Sequence, residues 1–351
     1  MTLNESQTRT VLINSGYRRY LALIMPVLIL LVACEVVTRM AGVAPLRRSS
    51  LIDNATFSRS LYRTDEILGF ANTPGRFVIA KGHYQITMTH LANSLRITRP
   101  LNTYNHPRPF KGAIWIFGCS LTYGWSLDDT QTYPWLLQER FPDFDVVNFG
   151  VGGYGTIHSL LQLKEAVKSH RPPTIVILAY ANFHDERNVM SRNWRLVVAP
   201  NGASETEHVF ARFDDRGQLR IEKKRVDQLS PLNEYSALAR LIEINLGILE
   251  DRQLRAHEVS EALIAEMNQV TSAAGGRFVL ANILGDNSIL KFAGRQSIPS
   301  IDIAVDLRIK ENNNLPYDIH PSAIANEKYA AKLGDFMASY LARPPDFPPR
   351  P

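Results

Sequence analysis

The chain has 351 residues, enough to bury one large core or two modest ones, and its 45% hydrophobic and 21% charged residues are ordinary for a globular protein. The net charge of +5 comes from Lys and Arg scattered along the chain rather than gathered into a stripe, which argues against a nucleic-acid surface. Only two cysteines are present, Cys34 and Cys119, in unlike surroundings, which excludes a disulfide framework.

The N-terminal flank, residues 1–19, leads into an apolar run from Tyr20 to Cys34 that continues past Glu35 to about residue 37. A helix crossing a bilayer core needs roughly 20 residues, with about 17 sufficient, and Pro26 is tolerable in such a helix. A buried helix of a soluble core would show a polar face, and this run shows none. Two membrane readings remain. One is an uncleaved transmembrane anchor over residues 20–37. The other is a lipoprotein signal, because Leu31-Val32-Ala33-Cys34 has the form of a lipobox with Cys34 as the lipidated residue. Arginines flank the run on both sides (Arg18 and Arg19 before; Arg39, Arg47 and Arg48 after), so charge leaves its orientation undecided.

Residues 38–110 read as a turn-rich stem, with two short strand-like runs joined at Lys81-Gly82. From Lys111 the pattern changes. Apolar strands are expected at 113–117, 145–149, 174–180 and 277–282, alternating with helices at 131–141, 155–170, 232–273 and about 322–342. That alternation specifies an α/β domain over 111–343 with a parallel sheet covered on both faces. Residues 185–230 are polar and interrupt it as an insertion, and the proline-rich residues 344–351 read as a disordered or extended tail.

In an open parallel sheet the reactive groups gather where strands end and helices begin. Gly118-Cys119-Ser120 follows the first strand, a glycine turn from Asn148 to Thr156 the second, and Tyr180 to Asn188 the third; Tyr317 to Ser322 precedes the last helix. A hydroxyl, a glycine turn, an amide and an Asp/His pair at one sheet edge are the components of acyl transfer.

These four segments resemble, in chain order, the four blocks of the SGNH (GDSL) hydrolase superfamily, in particular its membrane-anchored bacterial members. The resemblance covers roughly residues 111–342 and is closest over 113–163; Asn93 to Arg96 also looks like a stem motif of those proteins, without its glycine. It implies a three-layer α/β/α, flavodoxin-like domain with Ser120 as nucleophile, His320 as base and Asp318 as its orienting acid. Ser120, Gly153 and Asn182 would form the oxyanion hole, and no cofactor or metal is implied. The sequence departs from the family at three places. Cys119 stands where the family has aspartate, Tyr180 and Phe183 flank Asn182 unusually, and Asp318 lies two residues before His320 rather than three.

Blander readings exist for each residue. Ser120 could cap a helix, Asn182 could be a turn residue, and His320 could merely begin the last helix. Cys119 could itself be the nucleophile, although the family pattern turns that side chain away from the pocket. His184, Asp185 and Arg187 read as a polar insertion surface or pocket rim, and His158 as a helix-face residue. Gly150, Gly152 and Gly155 satisfy a dinucleotide-binding pattern, but no acidic residue ends the next strand. No α/β-hydrolase elbow, zinc spacing or P-loop is present. The expectation is a membrane-tethered, extracytoplasmic serine esterase or O-acyltransferase. Its substrates would be short acyl esters, acetyl above all, of an envelope or secreted polysaccharide. The alternative is a non-catalytic glycan-binding or assembly module on the same fold.

Overall fold

The computed structural model describes residues 5–45, 61–81, 84–105, 109–169, 172–198, 207–226 and 232–342. The tail at 344–351 and Gly82 lie outside them. In chain order the chain forms α1 (Glu5–Met40), β1 (Tyr62–Asp65), β2 (Gly69–Asn72), β3 (Gly75–Lys81) and β4 (Tyr84–His90). There follow β5 (Gly112–Phe117), α2 (Ser120–Tyr123), α3 (Tyr133–Arg140), β6 (Phe144–Asn148), α4 (Thr156–Ser169), β7 (Ile175–Tyr180), α5 (His184–Asn188) and α6 (Arg192–Val198). The remainder is β8 (Glu207–Phe213), β9 (Leu219–Arg225), α7 (Leu232–Tyr235), α8 (Ala237–Gln253), α9 (Ala256–Ala273), β10 (Arg277–Asn282), α10 (Asn287–Arg295), β11 (Ser300–Asp302) and α11 (Ala323–Leu341). Two units separate by contact density: residues 1–48 with 229–248, and residues 49–228 with 249–351.

The larger unit is organised by a five-stranded parallel sheet of order β11-β10-β7-β5-β6. Its central strands β5, β7 and β10 are apolar on both faces because both faces are covered. On one side Trp115, Phe117, Val176 and Leu178 pack against Leu160 and Leu163 of α4 and Val259 and Leu263 of α9. On the other, Ile114, Ile116, Ile175 and Ile177 meet Leu137 of α3 and Tyr329, Leu333 and Met337 of α11. Emptying one such position, for instance Leu333→Ala, costs about 2–5 kcal/mol. The covered parallel sheet is what the alternation predicts, and its three-layer α/β/α, flavodoxin-like order is what the family resemblance implied. The direction of winding reverses between β5 and β7, and a crevice at the carboxyl ends of the strands forms at such a reversal.

Four features differ from the sequence reading. The stem holds two antiparallel hairpins, β1–β2 as well as the expected β3–β4. The insertion carries α5, α6 and the antiparallel hairpin β8–β9. The expected helix 232–273 is broken, because Arg255 takes a left-handed backbone (φ 54°) between α8 and α9. Three residues of β11 form a fifth strand too short to leave a sequence signal.

In the smaller unit α1 continues through Pro26 and Cys34 without a break. Among the described residues one helix, over Ala22–Met40, is long and apolar enough to cross a membrane.

Candidate active site

The chain leaves β5 through Gly118, where a Cβ would lie 2.1 Å from Thr122 Oγ1, so only glycine lets the turn close. The next residue, Cys119, caps α2 without a side-chain bond, and Ser120 is the first helical residue. The cap reading of Ser120 therefore does not describe this geometry: its hydroxyl meets His320 Nε2 at 3.0 Å. Gly124, at φ 81°, ends α2 after a single turn.

His320 reaches this point from the loop before α11. Ser322 caps α11 by accepting from Ala325 N–H, and Asn314 donates its amide to Ser126 O, which ties the loop to the turn that carries Ser120. The His320 Nδ1 lies 2.5 Å from Asp318 Oδ1, which also accepts the His320 N–H at 2.7 Å. Ser126 donates its hydroxyl to the other carboxylate oxygen at 2.5 Å. Burial alone would push the Asp318 carboxyl up, but the bonds from His320 and Ser126 outweigh it and hold its pKa below the ordinary value. Asp318 is thus a buried carboxylate facing His320 Nδ1, the arrangement that leaves Nε2 unprotonated toward Ser120.

The turn that carries Ser120 is braced from the stem. Arg96 is almost fully buried; it pairs with Asp129 at 2.9 Å and donates to the carbonyls of Tyr123, Gly124 and Leu127 at 2.9, 2.6 and 2.6 Å. The Thr87 and Thr89 N–H groups donate to Asp128 and Asp129. Carbonyls that a one-turn helix cannot satisfy are thereby answered by one guanidinium.

Two backbone N–H groups in the turns after β5 and β6 are unused. Gly153 adopts φ 86°, and a Cβ there would meet the Phe70 ring at 3.3 Å, so the position needs glycine. Neither Ser120 N–H nor Gly153 N–H donates to a protein acceptor among the described residues. Asn182 is exposed in the turn after β7, where its carbonyl accepts from Asp185 N–H, and no hydrogen bond joins its side chain to Ser120 or His320.

Arg187 lies where the sequence reading put a polar rim. It donates to Tyr154 O at 2.9 Å, lies over the rings of Phe183 and Trp194, and sits beside the Cys119 thiol. It therefore touches the residues next to both Ser120 and Gly153. Its Nε is buried without a partner, and no carboxylate pairs with it among the described residues. Burial lowers its pKa, and burial pushes the Cys119 thiol up despite the nearby guanidinium, which keeps Cys119 a thiol rather than a nucleophilic thiolate. A cation in a polar run leaves no sequence sign of this placement.

His158 and His184 are buried rather than on an exposed face. His158 stacks on Tyr154, and burial, then the charges of His208 and Arg187, bring its pKa down to about 3. His184 faces Thr156 Oγ1 at 3.2 Å and is held neutral by burial. A second Ser–His–Asp string, Ser288–His257–Asp185, does not repeat the chemistry. Ser288 donates its proton to Asp286 at 2.5 Å rather than to His257, and the bond to Asp185 raises the His257 pKa. A cavity of about 710 Å³ beside Arg99, Tyr104, Trp115 and Gln162 contains none of Ser120, Asp318 or His320.

No family model and no curated protein matches the chain. Solved structures do resemble it. A lipolytic protein of the G-D-S-L family from Veillonella parvula aligns over 64% of this chain and 98% of its own, at 10% identity and TM-score 0.37. A carbohydrate esterase family 3 protein from Talaromyces cellulolyticus aligns over 66% and 98%, at 10% identity and TM-score 0.37. An acetyl esterase mutant with acetate ion aligns over 66% and 98%, at 10% identity and TM-score 0.36. At this distance the chemistry must be argued from the site itself.

Proposed function

We propose that the chain is a serine esterase or O-acyltransferase, tethered by α1 with its α/β unit outside the cytoplasm. Its substrates are short acyl esters, acetyl above all, of an envelope or secreted polysaccharide. The observation that carries this reading is the continuous string from Ser120 Oγ through His320 to the buried Asp318.

His320 Nε2 takes the hydroxyl proton as Ser120 Oγ adds to the ester carbonyl, and the imidazolium that forms is stabilised by Asp318. The carbonyl oxygen becomes an oxyanion facing the N–H groups of Ser120 and Gly153. The side-chain amide of Asn182 is the third donor, and Arg187, against Tyr154 O and the Cys119 thiol, adds positive charge behind the two turns. Collapse breaks the ester C–O bond and returns the proton from His320 to the leaving alcohol. Water or a sugar hydroxyl then gives its proton to His320 as it attacks the acyl-serine, and when the acyl–Oγ bond breaks His320 passes that proton to Ser120 Oγ. A fluorophosphonate probe, with the adduct mapped by mass spectrometry, tests this. The expected adduct is on Ser120, absent in Ser120→Ala and strongly reduced in His320→Ala. A folded protein that takes no label would leave the non-catalytic binding module as the better account.

A further inference from the structure

The last turns of α1 are tied to the segment that begins α8. Glu35 accepts from Ser236 Oγ at 2.7 Å and from the N–H groups of Ala237 and Leu238 at 2.9 Å each, so it caps α8 from another helix. Arg39, one turn further on, bonds Glu35 at 2.6 Å and donates to Tyr235 O at 3.1 Å. Glu35 lies five positions before the end of the Ala22–Met40 stretch. At 1.5 Å per residue that is about 7 Å below its end, the depth of a bilayer interface.

The segment held there is apolar on an open side. Leu232 and Tyr235 of α7 are exposed; on α8, Ile242 is 51% and Leu246 42% exposed, and Leu249 continues the same stripe one turn later. Asn245, the polar residue beside this stripe, turns its amide back to Leu241 O at 2.7 Å. A stripe at i, i+4 and i+7 with no protein against it among the described residues, on the helix that Glu35 caps, fits one occupant best.

We propose that residues 232–248 lie on the lipid surface, with Ile242 and Leu246 immersed at the level of the acyl–headgroup boundary and Glu35 acting as the joint between the crossing helix and the surface helix. The inference rests on the membrane reading of α1 and extends it to a second contact. A chain held at two points, one crossing and one lying flat, loses the free rotation that a single helix would leave it. Glu35 also ceases to be an awkward carboxylate in an apolar run, because the surface helix supplies its donors.

The full chain is reconstituted in phosphatidylcholine vesicles with Cys34→Ser, and an environment-sensitive fluorophore is placed in turn at Leu30→Cys, Ile242→Cys, Leu246→Cys and the exposed Asp215→Cys. Iodide and lipids carrying shallow or deep nitroxides serve as quenchers. Deep quenching at position 30 is the signature of the crossing helix. The proposal expects shallow-nitroxide quenching at 242 and 246, with several-fold less iodide quenching than at 215. Iodide access at 242 and 246 equal to that at 215, with position 30 still deep, overturns the surface contact alone. Protection at 242 and 246 that persists in detergent and rises with protein concentration assigns the stripe to a second copy and overturns it too. Loss of deep quenching at position 30 overturns the membrane reading itself.

Discussion

Replacing Asp318 with asparagine changes little in shape and removes one charge from the site. The amide can turn its oxygen to His320, accept both the backbone and Nδ1 hydrogens as the carboxylate does, and present its NH2 to the Ser126 hydroxyl. The tautomer of His320 then survives, and the loss is the attraction between the carboxylate and the imidazolium formed when Ser120 gives up its proton. At an effective dielectric near 20 and a charge separation of about 4 Å, that attraction is about 4 kcal/mol, or roughly 10³ in kcat. Turnover of p-nitrophenyl acetate and the rate of fluorophosphonate labelling should both fall by about this factor, with KM little changed. Circular dichroism should stay native, because each hydrogen bond has a replacement. Activity within about tenfold of the parent in Asp318→Asn would refute the assignment of Asp318 as the group that stabilises His320.

Arg187→Gln should lower kcat by roughly tenfold, less than the loss of a direct oxyanion donor, and leave the site of labelling on Ser120; Arg187→Lys should recover only part, since one ammonium cannot both bond Tyr154 O and lie over two rings. Arg96→Met should destabilise the larger unit by about 3–5 kcal/mol in a denaturant titration, because it leaves Asp129 buried without its cation and three carbonyls without a donor. His158 and His184 have pKa values lowered in the folded state, so the stability they allow is full above the unfolded value near 6.5 and is lost as pH falls toward the folded value, about 3 for His158. Between about pH 6 and 5 the two together should make stability fall by up to roughly 2.7 kcal/mol per unit, and His158→Phe should reduce that slope by about half in urea titrations.

The sheet was readable because β5, β7 and β10 are nearly all apolar, the mark of strands buried on both faces. Ser120 and His320 were readable because each stands at a strand-to-helix or loop-to-helix junction of that sheet. Other parts left no such mark. The β8–β9 hairpin has one strand mostly in solvent, so its residues read as polar insertion. The break between α8 and α9 depends on a left-handed arginine, where a glycine would have announced it. Ser126 and Asp318 are 192 positions apart, and their bond belongs to the packing of two loops rather than to either local pattern. Arg187 was missed for a related reason: a cation among polar residues reads as surface until the turns it joins are in place.

The reach of Arg96 into the nucleophile turn changes where the α/β unit can be said to start. By sequence a boundary at residue 111 looks clean, since the alternation begins there. A recombinant piece cut at that point would contain Ser120, Asp318 and His320, yet would leave behind the guanidinium that holds Tyr123, Gly124 and Leu127. The heritable module, the length of chain that can be transplanted with its working parts intact, therefore extends upstream to take in the hairpins of the stem. Grafts, chimaeras and truncations drawn at 111 should yield a sheet that folds around a nucleophile without its scaffold.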